Sequence, residues 1–376
     1  MPERPAPLVL VTTPREGQAF GSHSAIAAAG QRLLAADLSR RLGRLGAAVA
    51  PLPAVAPDEG GFHWGRWFAG AARLALDRTP TVDAIGYAGG SALALLADDD
   101  LDDLLAPTHG EVVANNRFSA DAFVVAGDGP TLDRALAALD GCDSDNAAPR
   151  RLEDAGFRSR DLGAAPWARF DVDTTLDLAL LRLSTRLPSM RPLDGSVGGF
   201  LEMARIPGGG ALEVPHLVRI GEVVRDRDSE LVVAGRVPAS VWQNLETETA
   251  CRIRCLVEER GMRSAREGRP RSILAALMRR ASPAALVEEL GRLGDAVILD
   301  TRVLMASLAE SANAGDWPPE EERFASDFGD HARIETPWLR ELTQAAASSP
   351  VPFLFGGHAL VSDGLRLLVA AAWQGH

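Results

Sequence analysis

Two carboxylates, Asp171 and Asp173, stand two residues apart just before a predicted helix over residues 175–183. Side chains on an extended segment repeat every second residue, so both carboxylates would point the same way. Carboxylate oxygens in such a pair can hold a hard cation, and the two residues therefore predict a Mg²⁺ site. The alternative is an ordinary helix start, in which a threonine caps the helix and an aspartate lies in its first turn.

Each of four predicted strands in the second half of the chain is followed by glycine or by ionisable residues. In chain order, these residues are Gly235 and Arg236, Glu258 and Arg260, Asp300 and Arg302, and Gly356, Gly357 and His358. Ligands of open parallel sheets bind outside the carboxyl ends of the strands, so these residues are candidates for a site. Loops are also polar when they bind nothing, and that alternative stays open.

These strand-end residues suit two kinds of chemistry. The residues predicted to act as acids or bases are Glu258, Asp300 and His358. A guanidinium fork and a close backbone approach both suit a phosphate. The residues predicted to bind an anion in this way are Arg302, Gly356 and Gly357. A single histidine after a strand is more often structural, and that alternative stays open.

The segment between Arg252 and Arg280 concentrates positive charge in an acidic protein. It holds nine arginines and three glutamates, a net charge of +6. A strand, an arginine-rich loop and a helix start follow one another here, and the free amides of a helix start also favour phosphate. Arg260 and Arg263 are therefore predicted to bind an anion. The alternative is a solvated loop whose arginines pair with acids elsewhere.

The composition excludes several classes of site. The chain of 376 residues has 51 acidic and 39 basic residues, a net charge of -12, and every basic residue is an arginine. Without lysine there is no phosphate-loop lysine, no Schiff-base lysine and no lysine general base. The acidic balance argues against a nucleic-acid partner, which requires a basic face.

Cysteine usage and hydropathy predict a cytoplasmic protein. Three cysteines are too few for a disulfide framework, and their number is odd. Cys251 and Cys255 are followed by no cysteine or histidine at zinc-finger spacing, and they are predicted to lie in a strand. We find no N-terminal signal sequence and no apolar run of membrane-spanning length, so no membrane partner is expected.

Short β-branched runs alternate with helices rich in alanine, leucine and arginine. This pattern predicts an α/β protein of two Rossmann-like three-layer domains, with mostly parallel sheets covered by helices. Residues 8–12 (LVLVT) read as a buried strand, and residues 31–46 read as an amphipathic helix. Prolines and glycines crowd into residues 187–214, which predicts a linker between a domain over 1–186 and a second domain over 215–376.

Two segments of the first half resemble a known family. Residues 170–181 read FDVDTTLDLALL, and residues 91–105 read SALALLADDDLDDLL. They are similar to the DIDTPEDLA ending and the DLPLLTPEDLDALL segment of small GT-A-type nucleotidyltransferases, the MobA-like and 2-phospho-L-lactate guanylyltransferase-like group. The order of predicted elements between the two segments also fits. The resemblance covers the first half of the chain and implies a GT-A-type fold there, while the second half resembles no family that we recognise.

The resemblance implies nucleotidyl transfer with Mg²⁺ as the cofactor. In that family a phosphorylated acceptor attacks the α-phosphate of a nucleoside triphosphate, and pyrophosphate leaves. Asp171 and Asp173 match the carboxylate-rich ending, so the resemblance implies that they are the catalytic and metal-binding residues. One family aspartate of the metal site is missing here, because Ala92 stands at its position.

The loop after the first predicted strand corresponds to the loop that cradles the triphosphate in that family. In this chain it offers Arg15, Gly17 and Gly21, which are predicted to contact phosphate through a guanidinium and backbone amides, but it has no lysine. Asn115, which follows another predicted strand, is a separate candidate for binding a base or a phosphate. A hydrogen-bonded turn is the alternative for Asn115.

Three functions remain open from the sequence. The retained carboxylates favour an active nucleotidyltransferase. The missing lysine and Ala92 favour a non-catalytic descendant that binds a nucleotide or phosphorylated metabolite and regulates or scaffolds another process. A third hypothesis places the active site wholly in the second domain. The expected partner is a nucleotide or a phosphorylated small molecule, and the oligomeric state is left open.

Overall fold

The computed structural model describes residues 7–13, 21–52, 62–79, 81–162, 165–258 and 270–374. Within these ranges the protein is α/β, with two sheets and about half of its residues in helices. This confirms the fold class predicted from the alternation of strands and helices. None of the helices in these ranges is long and apolar enough to cross a membrane. All three cysteines are free thiols.

The chain divides into two compact units whose sequence segments interleave. The first unit comprises the described parts of Met1–Gly17, Ala28–Asp171 and Leu193–Val197, and the second those of Gln18–Ala27, Val172–Pro192 and Gly198–His376. The compact units do not test the predicted domain boundaries at residues 186 and 214, which stay predictions. Compactness assigns residues 172–192 to the second unit, and the predicted linker contains a helix.

The first unit holds a sheet of six strands. They are β1 Leu8–Thr12, β2 Ala48–Leu52, β3 Ala84–Ala88, β4 Glu111–Ala114, β5 Ala122–Ala126 and β6 Arg158–Asp161. Their spatial order is β2-β1-β3-β5-β4-β6. Only β5 runs antiparallel to its neighbours, so the sheet is mixed but mostly parallel.

Helices cover both faces of this sheet. They are α1 His23–Arg44, α2 Trp64–Arg78, α3 Asp98–Leu104, α4 Gly129–Asp140 and α5 Ala148–Asp154. Strand β1 shows how the layers form, because its side chains alternate between the two faces. Leu10 packs in one apolar cluster with Phe68 of α2, whereas Val9 packs in another with Leu38 of α1. The first unit therefore has the predicted three layers.

The second unit holds a parallel sheet of four strands in the order β10-β9-β7-β8. Along the chain, α6 Thr175–Ser184, α7 Gly195–Met203 and α8 Leu217–Arg225 come first. The remaining elements are β7 Glu230–Gly235, α9 Ala239–Glu248, β8 Arg252–Val257, α10 Ile273–Arg280, α11 Pro283–Gly291, β9 Ala296–Asp300, α12 Arg302–Leu308, α13 Glu320–Asp327, α14 Pro337–Ser348, β10 Phe353–Gly356 and α15 Leu365–Ala372. Because all four strands are parallel, their carboxyl ends meet at one edge of the sheet.

Candidate functional site

The carboxyl ends of β1 and β3 form a tight corner in the first unit. The chain leaving β3 turns across the end of β1, where the Gly90 N–H donates to Thr12 Oγ1 over 2.9 Å. A Cβ atom on Gly90 would lie only 2.1 Å from the Thr12 carbonyl oxygen. Glycine is therefore required at position 90, because any side chain would push the two segments apart.

Asp171 lies beside this corner. It pairs with Ala92 in an isolated antiparallel bridge, and its Oδ1 accepts a hydrogen bond from Ser91 Oγ over 3.0 Å. The two segments that carry the family resemblance therefore touch at this point. The Ala92 methyl is buried in the apolar cluster, so Ser91 faces the carboxylate. We call Thr12, Gly90, Ser91 and Asp171 the Asp171 site.

Arg41 of α1 holds the segment that follows the Asp171 site. Its guanidinium is buried, and it donates to the carbonyl oxygens of Leu93 (3.1 Å) and Leu96 (2.5 Å) and to Asp98 Oδ1 (2.8 Å). Leu93 has a positive φ of 60°, a conformation that a leucine keeps only when its surroundings impose it. Sequence reasoning missed Arg41. The available signal was its position next to Leu42 on the apolar stripe of α1.

Asn115 is fully engaged within the protein. Its Oδ1 accepts from the N–H groups of Asp121 (2.9 Å) and Ala122 (3.0 Å), and its Nδ2 donates to Asp121 Oδ2 (3.2 Å) and the Ala168 carbonyl oxygen (2.9 Å). The side chain is completely buried. These four bonds use the whole capacity of the amide, which favours the hydrogen-bonded turn over a base-binding role.

Four of the predicted phosphate contacts lie outside the described residues. They are Arg15, Gly17, Arg260 and Arg263. Gly21 is described and has a φ of +80°, which glycine adopts without strain, and a Cβ there would meet no atom within 4 Å. Gly21 therefore meets a conformational requirement of the backbone. The predicted phosphate-binding roles of all five residues stay predictions.

Asp173 takes part in the start of α6. Its N–H donates to Asp177 Oδ2 over 3.1 Å. Thr174 and Asp177 form a capping box, in which the Asp177 N–H donates to Thr174 Oγ1 (3.2 Å) and the Thr174 N–H donates to Asp177 Oδ2 (2.8 Å). The capped-helix alternative from the sequence is therefore present.

The residues of the Asp171 site fit Mg²⁺ only in part. Asp173 belongs to the second compact unit, whereas Asp171 belongs to the first. Throughout the described ranges, no three His, Cys, Asp or Glu side chains are grouped to hold a metal ion. A site made only of protein ligands does not fit these residues. One carboxylate does fit a Mg²⁺ ion that is bound mainly through the phosphates of a nucleotide.

The second unit gathers charge at the carboxyl end of its sheet. Asp300, at the end of β9, is completely buried and pairs with Arg236, whose Nε and Nη2 donate to its two oxygens over 2.6 and 3.1 Å. Gly235 makes room for this pair, since a Cβ there would lie 2.3 Å from Asp300 Cβ. Burial opposes ionisation, but Arg236, with His358 and Arg302, holds the pKa of Asp300 below its ordinary value.

Arg302 joins a second buried ion pair to the first. Its Nη1 and Nη2 donate to the two oxygens of Asp327 over 2.5 and 2.6 Å. The backbone N–H of Arg302 donates to Asp300 Oδ1 over 3.1 Å. Burial works against the charge, yet Asp327 and Asp300 keep the pKa of Arg302 above its ordinary value. We call Arg236, Asp300, Arg302 and Asp327 the Asp300 network. Sequence reasoning missed Asp327, because it lies at the end of helix α13 and not after a predicted strand.

The predicted residues after β10 lie next to this network. A Cβ on Gly357 would lie 3.6 Å from Arg302 Nε, and His358 is close enough to Asp300 to lower its pKa. His358 itself is exposed. A Cβ on Gly356 would lie 2.7 Å from Leu360 and 2.9 Å from Leu176, so glycine at 356 serves close packing. The structure thus brings together Asp300, Arg302, Gly357 and His358 at one edge.

Glu258 follows β8 and serves as a helix cap. Its Oε1 accepts from Ser272 Oγ (2.8 Å) and from the Leu274 N–H (3.2 Å) at the start of α10. Its own N–H donates to the Gly235 carbonyl oxygen over 2.8 Å, which ties the ends of β7 and β8 together. The contacts of the Glu258 carboxylate therefore favour a structural role.

Asp177 is an incompletely satisfied acid near the Asp300 network. It is 1% exposed, and its Oδ1 has no hydrogen-bond partner among the described residues. Burial, followed by the nearby charge of Asp173, raises its pKa to about 7. This acid was not predicted as a site residue, and its sequence signal, a position in a capping box, points only to helix capping.

The chain has no match among known protein families, curated proteins or solved structures.

Proposed function

We propose that the first unit binds a nucleoside triphosphate and transfers its nucleotidyl group to a phosphorylated small-molecule acceptor. The observation that carries this proposal is the contact of Ser91 and Ala92 with Asp171. It joins the two segments that resemble the nucleotidyltransferases. The contact also lies at the carboxyl ends of β1 and β3, where open sheets bind their ligands.

The proposed reaction assigns few tasks to the chain. An oxygen of the acceptor phosphate forms a bond to the α-phosphorus of the nucleotide, the bond between that phosphorus and the bridging oxygen breaks, and pyrophosphate leaves with the electron pair. Mg²⁺ supplied with the nucleotide would balance the phosphate charge. Asp171, held by the Ser91 hydroxyl, would orient the phosphates through this cation.

Pyrophosphate release from a panel of nucleoside triphosphates, with phosphorylated acceptors and Mg²⁺ or Mn²⁺, tests the proposal. We expect Asp171→Asn to reduce release by about 100-fold or more, the size of effect seen when one preorganised electrostatic group is removed from an active site. Asp143→Asn is the matched control, since this acid is 95% exposed and lies outside the Asp171 site. Equal release by wild type and Asp171→Asn would contradict the proposed role of Asp171.

The second candidate function is nucleotide binding without turnover. The buried Ala92 favours it, because Ala92 stands where the nucleotidyltransferases that the first half resembles have a metal-binding aspartate, and its methyl group packs in the apolar cluster. In that case a nucleotide raises the melting temperature, and no pyrophosphate is released. If nucleotides have neither effect, the remaining candidate is a site in the second unit at His358, which is exposed beside Asp300.

We further propose that the protein is cytoplasmic and acts on small molecules rather than on nucleic acid. The three free thiols suit a reducing compartment, and the net charge of -12 disfavours a polyanion. Retention on a heparin column at physiological salt would contradict the second part of this proposal.

A further inference from the structure

The helix α1 begins at a carboxylate that comes from a distant part of the chain. Glu321 accepts three hydrogen bonds there: from the His23 N–H (3.0 Å), the Ser24 N–H (2.9 Å) and Ser24 Oγ (3.1 Å). Both oxygens of the carboxylate are used. The first amides of a helix have no partner within the helix, and an anion with several oxygens satisfies them well.

Glu321 also lies in the first turn of a second helix, α13. The positive end of a helix dipole favours negative charge in its first turn, so the carboxylate serves the start of two helices at once. Without it, the amides at the start of α1 would lack their acceptor, and the first turn of α13 would lose one of its acids. The arrangement therefore requires an anion at this position, and Glu321 supplies it.

The His23 side chain adds an unsatisfied polar group to the same place. The imidazole is 1% exposed and stacks on Phe328 at 5.1 Å, and neither ring nitrogen has a hydrogen-bond partner among the described residues. Burial lowers the pKa of His23, and the charge that acts most strongly on the ring is the Glu321 carboxylate. A neutral imidazole has one N–H to donate, so the ring could offer a further donor to an anion.

The start of α1 is also fixed in position. Thr175 Oγ1, at the start of α6, donates to the His23 carbonyl oxygen over 2.7 Å. The donors of His23 and Ser24 are therefore held in place from a neighbouring helix. Glu321 itself is half-buried, so a dissolved anion can reach the position that it occupies.

We propose that Glu321 is an internal anion that occupies a phosphate-binding site at the start of α1, and that a phosphoryl group binds by displacing it. The donors of this site are the N–H groups of His23 and Ser24 and the Ser24 hydroxyl. The contact lowers the affinity of the wild-type protein for phosphate, because each ligand must compete with a carboxylate of the same chain. This proposal does not depend on catalysis at Asp171.

Thermal unfolding in phosphate tests the proposal. Phosphate is titrated against chloride at constant ionic strength, so that screening stays equal. We expect Glu321→Ala to be less stable than wild type in chloride and to regain stability as phosphate is added. Its apparent dissociation constant for phosphate should be at least about tenfold lower than that of wild type, since binding to the folded state raises stability by mass action.

Glu320→Ala is the matched control, because it removes the neighbouring acid in the first turn of α13. It should show the same weak phosphate response as wild type. If Glu321→Ala and Glu320→Ala respond equally to phosphate, Glu321 is only a helix cap and the proposal fails. If Glu321→Ala does not fold, Glu321→Gln loses the charge but keeps an acceptor, and it should show the same gain in phosphate response. Absence of that gain also overturns the proposal.

A second variant identifies the donors. Adding Ser24→Ala to Glu321→Ala removes a hydroxyl that contacts the anion, and we expect the phosphate affinity to fall by about threefold or more. An unchanged affinity would place the bound phosphate elsewhere and contradict the assignment. Titrations with pyrophosphate and with ATP distinguish a site for free phosphate from a site for a nucleotide. These readouts measure binding, so their failure is distinct from a failure to release pyrophosphate.

Discussion

The carboxyl edges of the two sheets differ in the number and in the burial of their charged side chains. At the first edge, the Asp171 site holds one carboxylate, which has a serine hydroxyl as a partner and lies beside a glycine corner. At the second edge, the Asp300 network holds two carboxylates and two guanidiniums that pair with one another. The second edge carries more of the groups from which sites are made, yet its charges already satisfy each other.

This difference shows that the number of charged residues at an edge does not by itself locate a binding site. A charge that leaves water costs several kcal/mol unless it is paired, so buried charges must find partners in their own chain. Asp300 and Asp327 are completely buried and have such partners. Asp171 is only half-buried, so a dissolved ligand can reach its carboxylate. For this reason the sparser edge is the better candidate for a ligand.

The largest expected effect comes from breaking the Asp300 network. Arg302→Leu should lower the free energy of unfolding by about 3–5 kcal/mol, because it leaves Asp327 buried without its partner. Arg292→Leu is the control, since this arginine is 62% exposed and pairs with two exposed glutamates. It should cost less than about 1 kcal/mol. Urea denaturation at pH 7 measures both, and similar losses for the two variants would mean that the network contributes no more than a surface pair.

Much of the fold follows from local sequence signals. Strand β1 has the bounds of the LVLVT run, and the helix predicted over residues 175–183 is α6, which ends one residue later. The edge strand β6 was not predicted, because its sequence RSRD has no apolar residue to mark it. Helix α7, with three glycines in nine residues, lies within the predicted linker over residues 187–214. Both elements form through tertiary contacts that override weak local propensity.

The candidate sites were less predictable, because their contacts join distant segments. Asp300 and Arg302 were found from their positions after a strand. Asp327, the partner of Arg302, lies 25 residues further along the chain. The contact between Ser91 and Asp171 spans 80 residues, and no spacing rule reveals it. The position of a polar residue directly after a strand predicts that the residue lies at the carboxyl edge of the sheet. Whether it faces a ligand or a buried partner is decided only by the tertiary fold.

The second prediction concerns the unsatisfied acid beside the network. The pKa of Asp177 rises from 3.8 to about 7 because the side chain is buried. The folded protein therefore binds more protons than the unfolded chain between these values, and its stability should fall as the pH rises through that range. Asp177→Asn keeps an acceptor for the helix cap and cannot ionise. We expect it to be more stable than wild type by about 1–3 kcal/mol at pH 8.

Urea denaturation at pH 5 and pH 8 checks this expectation. The advantage of Asp177→Asn over wild type should be largest at pH 8 and shrink towards pH 5, where the native acid is already protonated. An advantage that is independent of pH would show that packing, and not the charge, limits stability here. In that case the second edge would be more fully satisfied than the buried Oδ1 suggests.

The third prediction concerns a variant with a second carboxylate at the Asp171 site. Ser91→Asp would bring a second carboxylate next to Asp171, since the present Oγ–Oδ1 distance is 3.0 Å. Like charges at that distance oppose ionisation, so the variant should lose about 1–2 kcal/mol in the presence of a chelator. Mn²⁺ should restore this loss, because two carboxylates and water can hold a divalent cation. Ser91→Asn has the same shape without the charge, and a Mn²⁺ response of equal size in that variant would contradict the expectation.

The smallest expected effect is the stability change of Asp171→Asn. The amide oxygen can still accept the hydrogen bond from Ser91, and the side chain is only half-buried, so the free energy of unfolding should change by less than about 1 kcal/mol. The same urea titration used for Arg302→Leu measures it. Loss of pyrophosphate release without loss of stability would mean that Asp171 serves the reaction, whereas the residues of the Asp300 network stabilise the fold. A loss of several kcal/mol would instead mean that both edges are structural, and the difference between them would disappear.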